Sequence, residues 1–466
     1  MAVKNLSFES LSVDRERGVF LVVFSADGTP YHRSFSSSLK FHRLPQEVLE
    51  NCLFHIGLFC LMDLDQILVP DQLTIKTGDL SRDQVQFYVN TRNLYARQLF
   101  FERKAPLNLL THNIVSSGPC RLPYAAPLKE DRLVASFGGG KESLLYRAIL
   151  DEAGIEPLWF VKTRKPFAKR LTGVATSASL RNCAIISEDA ADLYQNPYQR
   201  SEQNYHSRTN TGISIYAMFM ALLALEKSYR HICLGNERSA EDGNCLWDGV
   251  VVNHQFDKGA TYRAELSDYI RKYICPSLNL FSIFESYYEY NLAQAMRAAG
   301  PLRFKNMTSC NYLTDQQAWC HRCPKCAWSF AVLASAFGKE FAITVVGKNL
   351  FDDPGLYEAV LDPRMAKPFE CIGERPEIWL ILEQCVEQGQ TGKVLDVFCR
   401  EYRSWLQRHI RGYREKYQHI YSNPAVPEFV AEALASRPGG GHWFGRSTGC
   451  TQLVSSCEPS QRAAAG

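Results

Sequence analysis

The chain has 466 residues, 46% of them hydrophobic and 22% charged, with a formal net charge of +3. That length predicts two or three domains, and the near-neutral balance offers no electrostatic footprint for nucleic acid or a membrane surface. The start, Met1-Ala2-Val3-Lys4-Asn5, has no apolar leader core, and the longest apolar stretch, 213–225, is too short to span a bilayer, so a cytoplasmic location is expected.

Residues 1–128 read as a mixed α+β N-terminal domain. The run 18–24 is β-rich, Asp27-Gly28 signals a turn, and Tyr31-His32-Arg33-Ser34-Phe35 returns as a second strand. The stretch 48–62 reads as a buried helix. Gly118-Pro119 and Leu122-Pro123 mark a linker. From Leu133 the pattern alternates: strand 133–137, helix 141–153, strand 157–161, strand 182–186, helix 211–228 and strand 231–234. Such alternation predicts an α/β fold with a doubly wound, mostly parallel sheet over 129–350. Ligands of these sheets bind at the carboxyl ends of the strands. Residues 351–435 read as a helical C-terminal region, in which 400–414 is basic and amphipathic, and a solvated helix face is its common use. The Gly/Ser/Ala-rich segment 436–466 is expected to be a disordered tail.

The run Ser136-Phe137-Gly138-Gly139-Gly140-Lys141-Glu142-Ser143 stands between a strand and a helix. Its glycines bare backbone N–H groups to an approaching phosphate, the helix N-terminus favours negative charge, and Lys141 adds a cation. The GxxxxGK[ST] spacing of a Walker A loop is absent. Ser136, Gly138, Gly139, Gly140, Lys141, Glu142 and Ser143 are therefore candidate nucleotide-binding residues. A Gly-rich turn without phosphate is the plain alternative.

After the strand at 231–234 comes a dense polar block, Gly235-Asn236-Glu237-Arg238-Ser239-Ala240, then Gly243-Asn244 and Val252-Asn253-His254-Gln255. Gly235 and Asn236 join the nucleotide candidates. Glu237 is placed to help hold Mg2+ or orient a nucleotide. As an imidazole, His254 is a candidate for proton transfer, with a hydrogen-bonded hairpin residue as the alternative. Asp257 lies close by, and Asp248-Gly249 reads as a hairpin turn. In the block Lys367-Pro368-Phe369-Glu370-Cys371-Ile372-Gly373, Cys371 is a candidate base if its thiol is acidified, and a packed core cysteine otherwise.

Sixteen cysteines are many, yet most, such as Cys60, Cys183 and Cys233, stand alone in apolar runs and read as reduced core residues. Cys310, Cys320, Cys323 and Cys326 differ, forming a C-x9-C-x2-C-x2-C group. Four thiolates suit a tetrahedral structural Zn2+, with an iron–sulfur cluster as competitor and His321 as a replacement ligand. Cys326 would bind from the start of a following helix, and Arg322 and Lys325 would offset thiolate charge.

The Gly-rich run resembles the PP-loop of the ATP pyrophosphatases, SGGxDS, with Gly138 at the first Ser and Glu142 at the Asp. Together with the blocks at 235–244, 252–255, 319–326 and 367–373, it makes the chain resemble the ATP-dependent UDP-N-acetylmuramoyl-L-alanyl-L-glutamate epimerases of bacterial cell-wall synthesis. The resemblance implies adenylation of the terminal L-Glu carboxylate of UDP-MurNAc-L-Ala-L-Glu by ATP with Mg2+. Loss and return of the α-proton would follow, with AMP and pyrophosphate released. His254, Glu237, Asp257 and Cys371 are the proton-transfer candidates, unranked. The N-terminal domain is expected to bind the UDP-sugar. Two other readings stay open: another PP-loop adenylating enzyme, such as a deazaguanine nitrile synthase-like ligase, and a non-catalytic zinc-stabilised nucleotide-binding protein. No nucleic-acid or membrane partner is expected, and the oligomeric state is not legible.

Overall fold

The computed structural model describes residues 3–104, 113–164, 180–189, 211–312, 316–437 and 441–444, with Gly173, Ala175 and Thr176. The chain opens with a meander, β1 (Asn5–Asp14), β2 (Val19–Ala26) and β3 (Thr29–Ser37). The expected turn closes the β2–β3 hairpin, with Ala26 paired to Thr29. Asp27 and Gly28 both take left-handed φ, 47° and 87°, as a two-residue hairpin of this twist requires. Next come α1 (Gln46–Leu68), β4 (Gln72–Ile75), α2 (Arg82–Glu102) and β5 (Asn113–Ser116).

The alternating part follows as β6 (Lys129–Ser136), α3 (Lys141–Glu152), β7 (Leu158–Arg164), β8 (Cys183–Asp189), α4 (Gly212–Lys227) and β9 (Tyr229–Glu237). A small hairpin, β10 (Cys245–Trp247) and β11 (Val250–Val252), turns at Asp248-Gly249 and leads to α5 (Ala260–Tyr273) and β12 (Asn279–Phe284). Ten strands form one sheet in the order β12-β9-β6-β7-β8-β3-β2-β1-β4-β5. The run from β12 to β8 is parallel throughout. β3 joins β8 antiparallel, so the meander continues the parallel sheet edge to edge. The sheet is therefore mixed and mostly parallel.

Strand periodicity assigns the two faces. Val134, Phe160, Ile186, Ile232 and Leu280 pack with α1, α4 and α5 on one side. Leu133, Ala135, Trp159, Val161, Cys233 and Phe281 pack on the other with α3 and the helices that follow β12. Those are α6 (Glu289–Ala299), α7 (Pro324–Phe337), α8 (Lys339–Val346), α9 (Pro354–Leu361), α10 (Arg375–Glu387), α11 (Lys393–Glu401), α12 (Arg403–Gln418) and α13 (Glu428–Ala435). The long apolar stretch forms α4, apolar on nearly every side because it is covered on nearly every side. Among the described residues no helix is long and apolar enough to cross a membrane, and no cysteine is in a disulfide.

The basic stretch at 400–414 is two helices, broken at Tyr402 (φ −117°). Its apolar face is covered in part from within the chain, Leu406 being buried and Trp405 37% exposed. Trp405 meets Trp379 of α10 edge-on at 4.9 Å, and Arg403 grips buried Glu383 through two 2.9 Å hydrogen bonds. Of the tail expected at 436–466, residues 438–440 and 445–466 lie outside the described residues. Trp443 and Phe444 are buried, Phe444 stacking on Tyr287 at 3.8 Å.

Candidate active site at the carboxyl ends of β6 and β9

The Gly-rich loop leaves the carboxyl end of β6 and opens α3. It is anchored at both ends of its arc: the Phe137 N–H donates to the Phe160 carbonyl at 2.8 Å, and the Gly139 carbonyl accepts the Thr308 N–H at 2.9 Å. Gly139 has φ 74°, a conformation that favours glycine. Gly138 faces open space where a side chain would stand. α3 starts behind Gly140, which as N-cap has no side chain to accept from the first turn, and the Glu142 carboxylate turns back on its own backbone N–H. Ser143 Oγ donates to the Gly140 carbonyl at 3.1 Å.

Around the loop stands a buried charge cluster. Lys141 Nζ lies 2.5 Å from Glu142 and 2.8 Å from Glu289, the first residue of α6. Glu289 Oε1 also accepts the Trp328 indole N–H, while its Oε2 is buried and bare. Glu237, last residue of β9, is buried among them. Burial, then Glu142 and Glu289, push the Glu237 carboxyl up to about 7, with Lys141 opposing. Burial also works against charge on Glu142, but Lys141 at contact distance prevails and holds it below the ordinary range. Three carboxyls and one ammonium meet beside the loop, with Glu237 and Glu289 pushed toward their neutral forms chiefly by burial. One oxygen, Glu289 Oε2, has no partner, and a carboxylate oxygen of that kind suits a hard divalent cation such as Mg2+. Of the other candidates, the Asn236 side-chain nitrogen is buried and bare. Gly235 has a packing reason as well, since a Cβ there would come 2.8 Å from the Tyr146 ring.

A second cluster forms where three distant stretches meet. Asn244 ties them: its side-chain N–H2 donates to the Lys367 and Pro368 carbonyls at 3.2 and 2.8 Å, and its Oδ1 accepts the His254 N–H at 2.7 Å. Gln255 adds a 2.9 Å bond to the Ile372 carbonyl. Cys371 is thereby brought near His254 and Lys258. Burial opposes the thiolate, but the charges of Lys258 and Lys325 and the neighbouring His254 hold the thiol well below its ordinary value.

The His254 tautomer follows from its neighbours. Gln98 Nε2 donates to Glu102 at 2.7 Å, which turns Gln98 Oε1 toward His254 Nδ1 at 2.8 Å. Nδ1 then carries the proton, and Nε2 is the nitrogen left to exchange one with the thiol. Asp257, buried, accepts the Tyr95 hydroxyl at 3.1 Å, and burial pushes it up to about 6. Burial likewise pushes Glu370 up to about 7, and its Oε2 accepts the Asn311 amide. A depressed thiol beside raised carboxyls is the pattern of an acid–base site.

The four cysteines converge, their sulfurs all within 4.8 Å of one another. Cys323–Cys326 and Cys320–Cys326 sulfur distances are 3.5 and 3.8 Å. A tetrahedral ion with Zn–S of about 2.3 Å would set its sulfurs about 3.8 Å apart, so the set fits zinc. Backbone N–H groups of Tyr312 and Cys320 point at Cys310 Sγ, 3.3 and 3.4 Å away. Cys326 lies in the first turn of α7, as expected. His321 stands outside the set, its Nε2 on the Val346 carbonyl at 2.7 Å. Lys325, read as charge compensation for the thiolates, reaches Asn311 Oδ1 at 3.2 Å.

The structure places the Gly-rich loop and Glu237 at the ends of β6 and β9, and brings the 254–258 loop and the Cys371 turn together through Asn244 and Gln255. It adds Lys258, Glu289, Gln98 and Tyr95, which the sequence reading missed. A signal existed for the last two: Thr91, Tyr95 and Gln98 form a polar stripe on the buried side of α2, at helical spacing.

Comparison with known proteins follows the same outline. The model of the MurL N-terminal domain matches residues 1–283, and that of the MurL C-terminal domain matches residues 306–408. A UDP-N-acetyl-alpha-D-muramoyl-L-alanyl-L-glutamate epimerase of Xanthomonas oryzae pv. oryzae is 30% identical over 291 residues, 56% of this chain and 60% of that protein. A protein of the same name from a Micromonospora strain is 29% identical over 268 residues, 56% of this chain and 58% of its own length. One from Salinispora tropica is 28% identical over 286 residues, 59% of this chain and 60% of its own. The chain thus spans about three-fifths of the length of these curated relatives. No solved structure matches it.

Proposed function

This chain belongs to the MurL family, and from that premise we propose that it inverts the terminal glutamate of UDP-MurNAc-L-Ala-L-Glu to the D form in peptidoglycan precursor synthesis. The inversion runs through an acyl-adenylate made from ATP with release of pyrophosphate, and water then hydrolyses the adenylate to the D-Glu carboxylate and AMP. The observation that supports the reading is a Gly-rich loop at the carboxyl end of a parallel strand with the Cys371–His254–Lys258 cluster in the same part of the molecule.

The chemistry needs both halves. Removing the α-proton of a free carboxylate would build a dianion. Bound ATP supplies the electrophilic α-phosphorus, and Mg2+ offsets phosphate charge. The loop N–H groups and Lys141 hold the phosphates, and Glu142, Glu237 and Glu289 hold the cation. With the carboxylate masked as a mixed anhydride, the α-proton becomes accessible to a moderate base. Cys371, kept as thiolate by Lys258, takes it. His254, its Nδ1 fixed by Gln98, passes protons to and from the thiol. Return from the opposite face needs a protonated acid, and the buried carboxyls Asp257 and Glu370 are the groups of that kind nearby. The N-terminal region helps to form the site through Tyr95 and Gln98, and we extend to it the binding of the UDP-sugar. Zn2+ in the four-cysteine set is a structural clamp with no open position.

The test is pyrophosphate release with ATP and Mg2+, with and without UDP-MurNAc-L-Ala-L-Glu, followed by chiral analysis of the glutamate. Substrate-dependent release with D-Glu is expected. Release without inversion would move the answer to another adenylating ligase, and no release from folded, zinc-loaded protein would overturn the reading. Cys371→Ala is expected to keep substrate-dependent pyrophosphate release and lose inversion by at least about 100-fold, the scale of a general acid–base contribution.

A further inference from the structure

We infer that Lys325, carried between two cysteines of the metal knuckle, is a working cation of the active site that contacts the phosphoryl group under attack. The inference rests on the adenylation reading above and adds a residue and a purpose for the knuckle.

The geometry is a pair of straps. One strand of the knuckle runs through Thr308 to Cys310 and is bonded to the Gly-rich loop, Thr308 N–H to the Gly139 carbonyl at 2.9 Å. The next residue, Asn311, reaches the other half of the site, its amide on Glu370 Oε2. Lys325 Nζ lies on that same Asn311 at 3.2 Å. The lysine thus stands where the phosphate loop, through Thr308, and the Glu370–Cys371 turn, through Asn311, are drawn together. Its charge is felt on both sides, by Glu142 of the loop and by Glu370 and Cys371 of the turn. Lys325 is only partly buried, unlike Lys141, which is enclosed at 2% exposure and already held by Glu142 and Glu289. A cation between a phosphate cradle and a proton-transfer turn has an obvious task. As a substrate carboxylate oxygen bonds to the α-phosphorus and the bridging oxygen leaves with pyrophosphate, charge grows on the non-bridging α-oxygens. Lys325 meets it there.

This also gives the four-cysteine set a reason to sit where it does. Cys323 and Cys326 flank Pro324-Lys325 at the start of α7, so closure of the set fixes the root of the lysine side chain.

Lys325→Ala and the charge-only variant Lys325→Gln test it, each assayed for bound zinc per chain, ATP affinity by calorimetry and substrate-dependent pyrophosphate release. Zinc content is expected to stay at the wild-type level, ATP affinity to fall about tenfold and kcat for pyrophosphate release about 100-fold, the loss typical of one charge-stabilising donor. Lys325→Arg should recover part of both. If Lys325→Ala loses zinc, Lys325→Gln decides. Wild-type affinity and turnover in a zinc-loaded charge-neutral variant would overturn the inference while leaving the adenylation reading intact. Absence of substrate-dependent release from the wild-type protein would instead remove the reading on which it rests.

Discussion

A thiol is a poor base at neutral pH unless something holds its anion, and at Cys371 that something is named: Lys258, Lys325 and His254 against the cost of burial. The core cysteine Cys60 shows the opposite balance, burial pushing it up to about 12 despite nearby Arg33. Iodoacetamide at pH 7, read peptide by peptide, should therefore modify Cys371 far faster than Cys60. Lys258→Met should slow alkylation of Cys371 about tenfold for each unit its thiol rises. Equal rates in wild type and Lys258→Met would show that the ammonium does not hold the thiolate. Cys371 was legible as a candidate because it sits in a polar, Pro- and Gly-bounded turn. Lys258 was not, because a lysine six residues beyond a hairpin gives no sign of what it will face.

At the scale of elements, the junction between β3 and β8 matters most, since it joins the N-terminal meander to the parallel strands. It is held by side chains from several elements: Arg33 of β3 bonds Asp63 of α1 at 2.7 Å and Glu188 of β8, and Lys162 of β7 also grips Glu188. Asp63 accepts the Thr211 N–H as well, at 2.7 Å, at the head of α4. Arg33 is 5% exposed, so removing it leaves buried Glu188 with Lys162 as its remaining cation and Asp63 with only the Thr211 hydrogen bonds and no cation. Arg33→Met is expected to cost about 3–5 kcal/mol in urea denaturation, the range for breaking a buried pair on one side. A loss under about 1 kcal/mol would mean the network is already hydrated. The strands themselves were readable: 18–24 with its Asp27-Gly28 turn, 133–137, 157–161 and 231–234 all form, because alternation and turn chemistry are local. Their order was not. Nothing in the residues of β3 says that its free edge will meet β8, because backbone edges are alike. The short strands β4 and β5, and α2 with its polar buried stripe, carry too weak an apolar period to announce themselves.

For the whole molecule, the site's buried carboxyls set a pH signature. Glu237 and Glu370 are raised to about 7 and Glu377 to about 8, each mainly by burial. The unfolded chain loses these protons near 4.5, so above that pH the folded state binds more protons, and stability falls as pH rises. The buried imidazole His55, lowered to about 3, acts in the other direction, but its contribution is complete once pH passes the ordinary histidine value. Between pH 6.5 and 8 the depressed Cys371 thiol adds stability as pH rises, but one such group is outweighed by the three raised carboxyls, and the melting temperature should drop across that window. A flat or rising profile would contradict their burial as protonated acids.

What the sequence determined by itself was chemistry of short reach. The Gly-rich turn at 138–140, the four cysteines and the strand–helix alternation are each fixed by neighbours a few residues apart. Only the tertiary structure decided which of these pieces share a site. Asn244 draws residues 254 and 367 together, Thr308 and Asn311 place the knuckle between the loop and the Cys371 turn, and α2 sets the tautomer of His254. These are contacts across a closed core, specified by packing and by the need to satisfy buried polar groups, and no local pattern encodes a partner more than a hundred residues away.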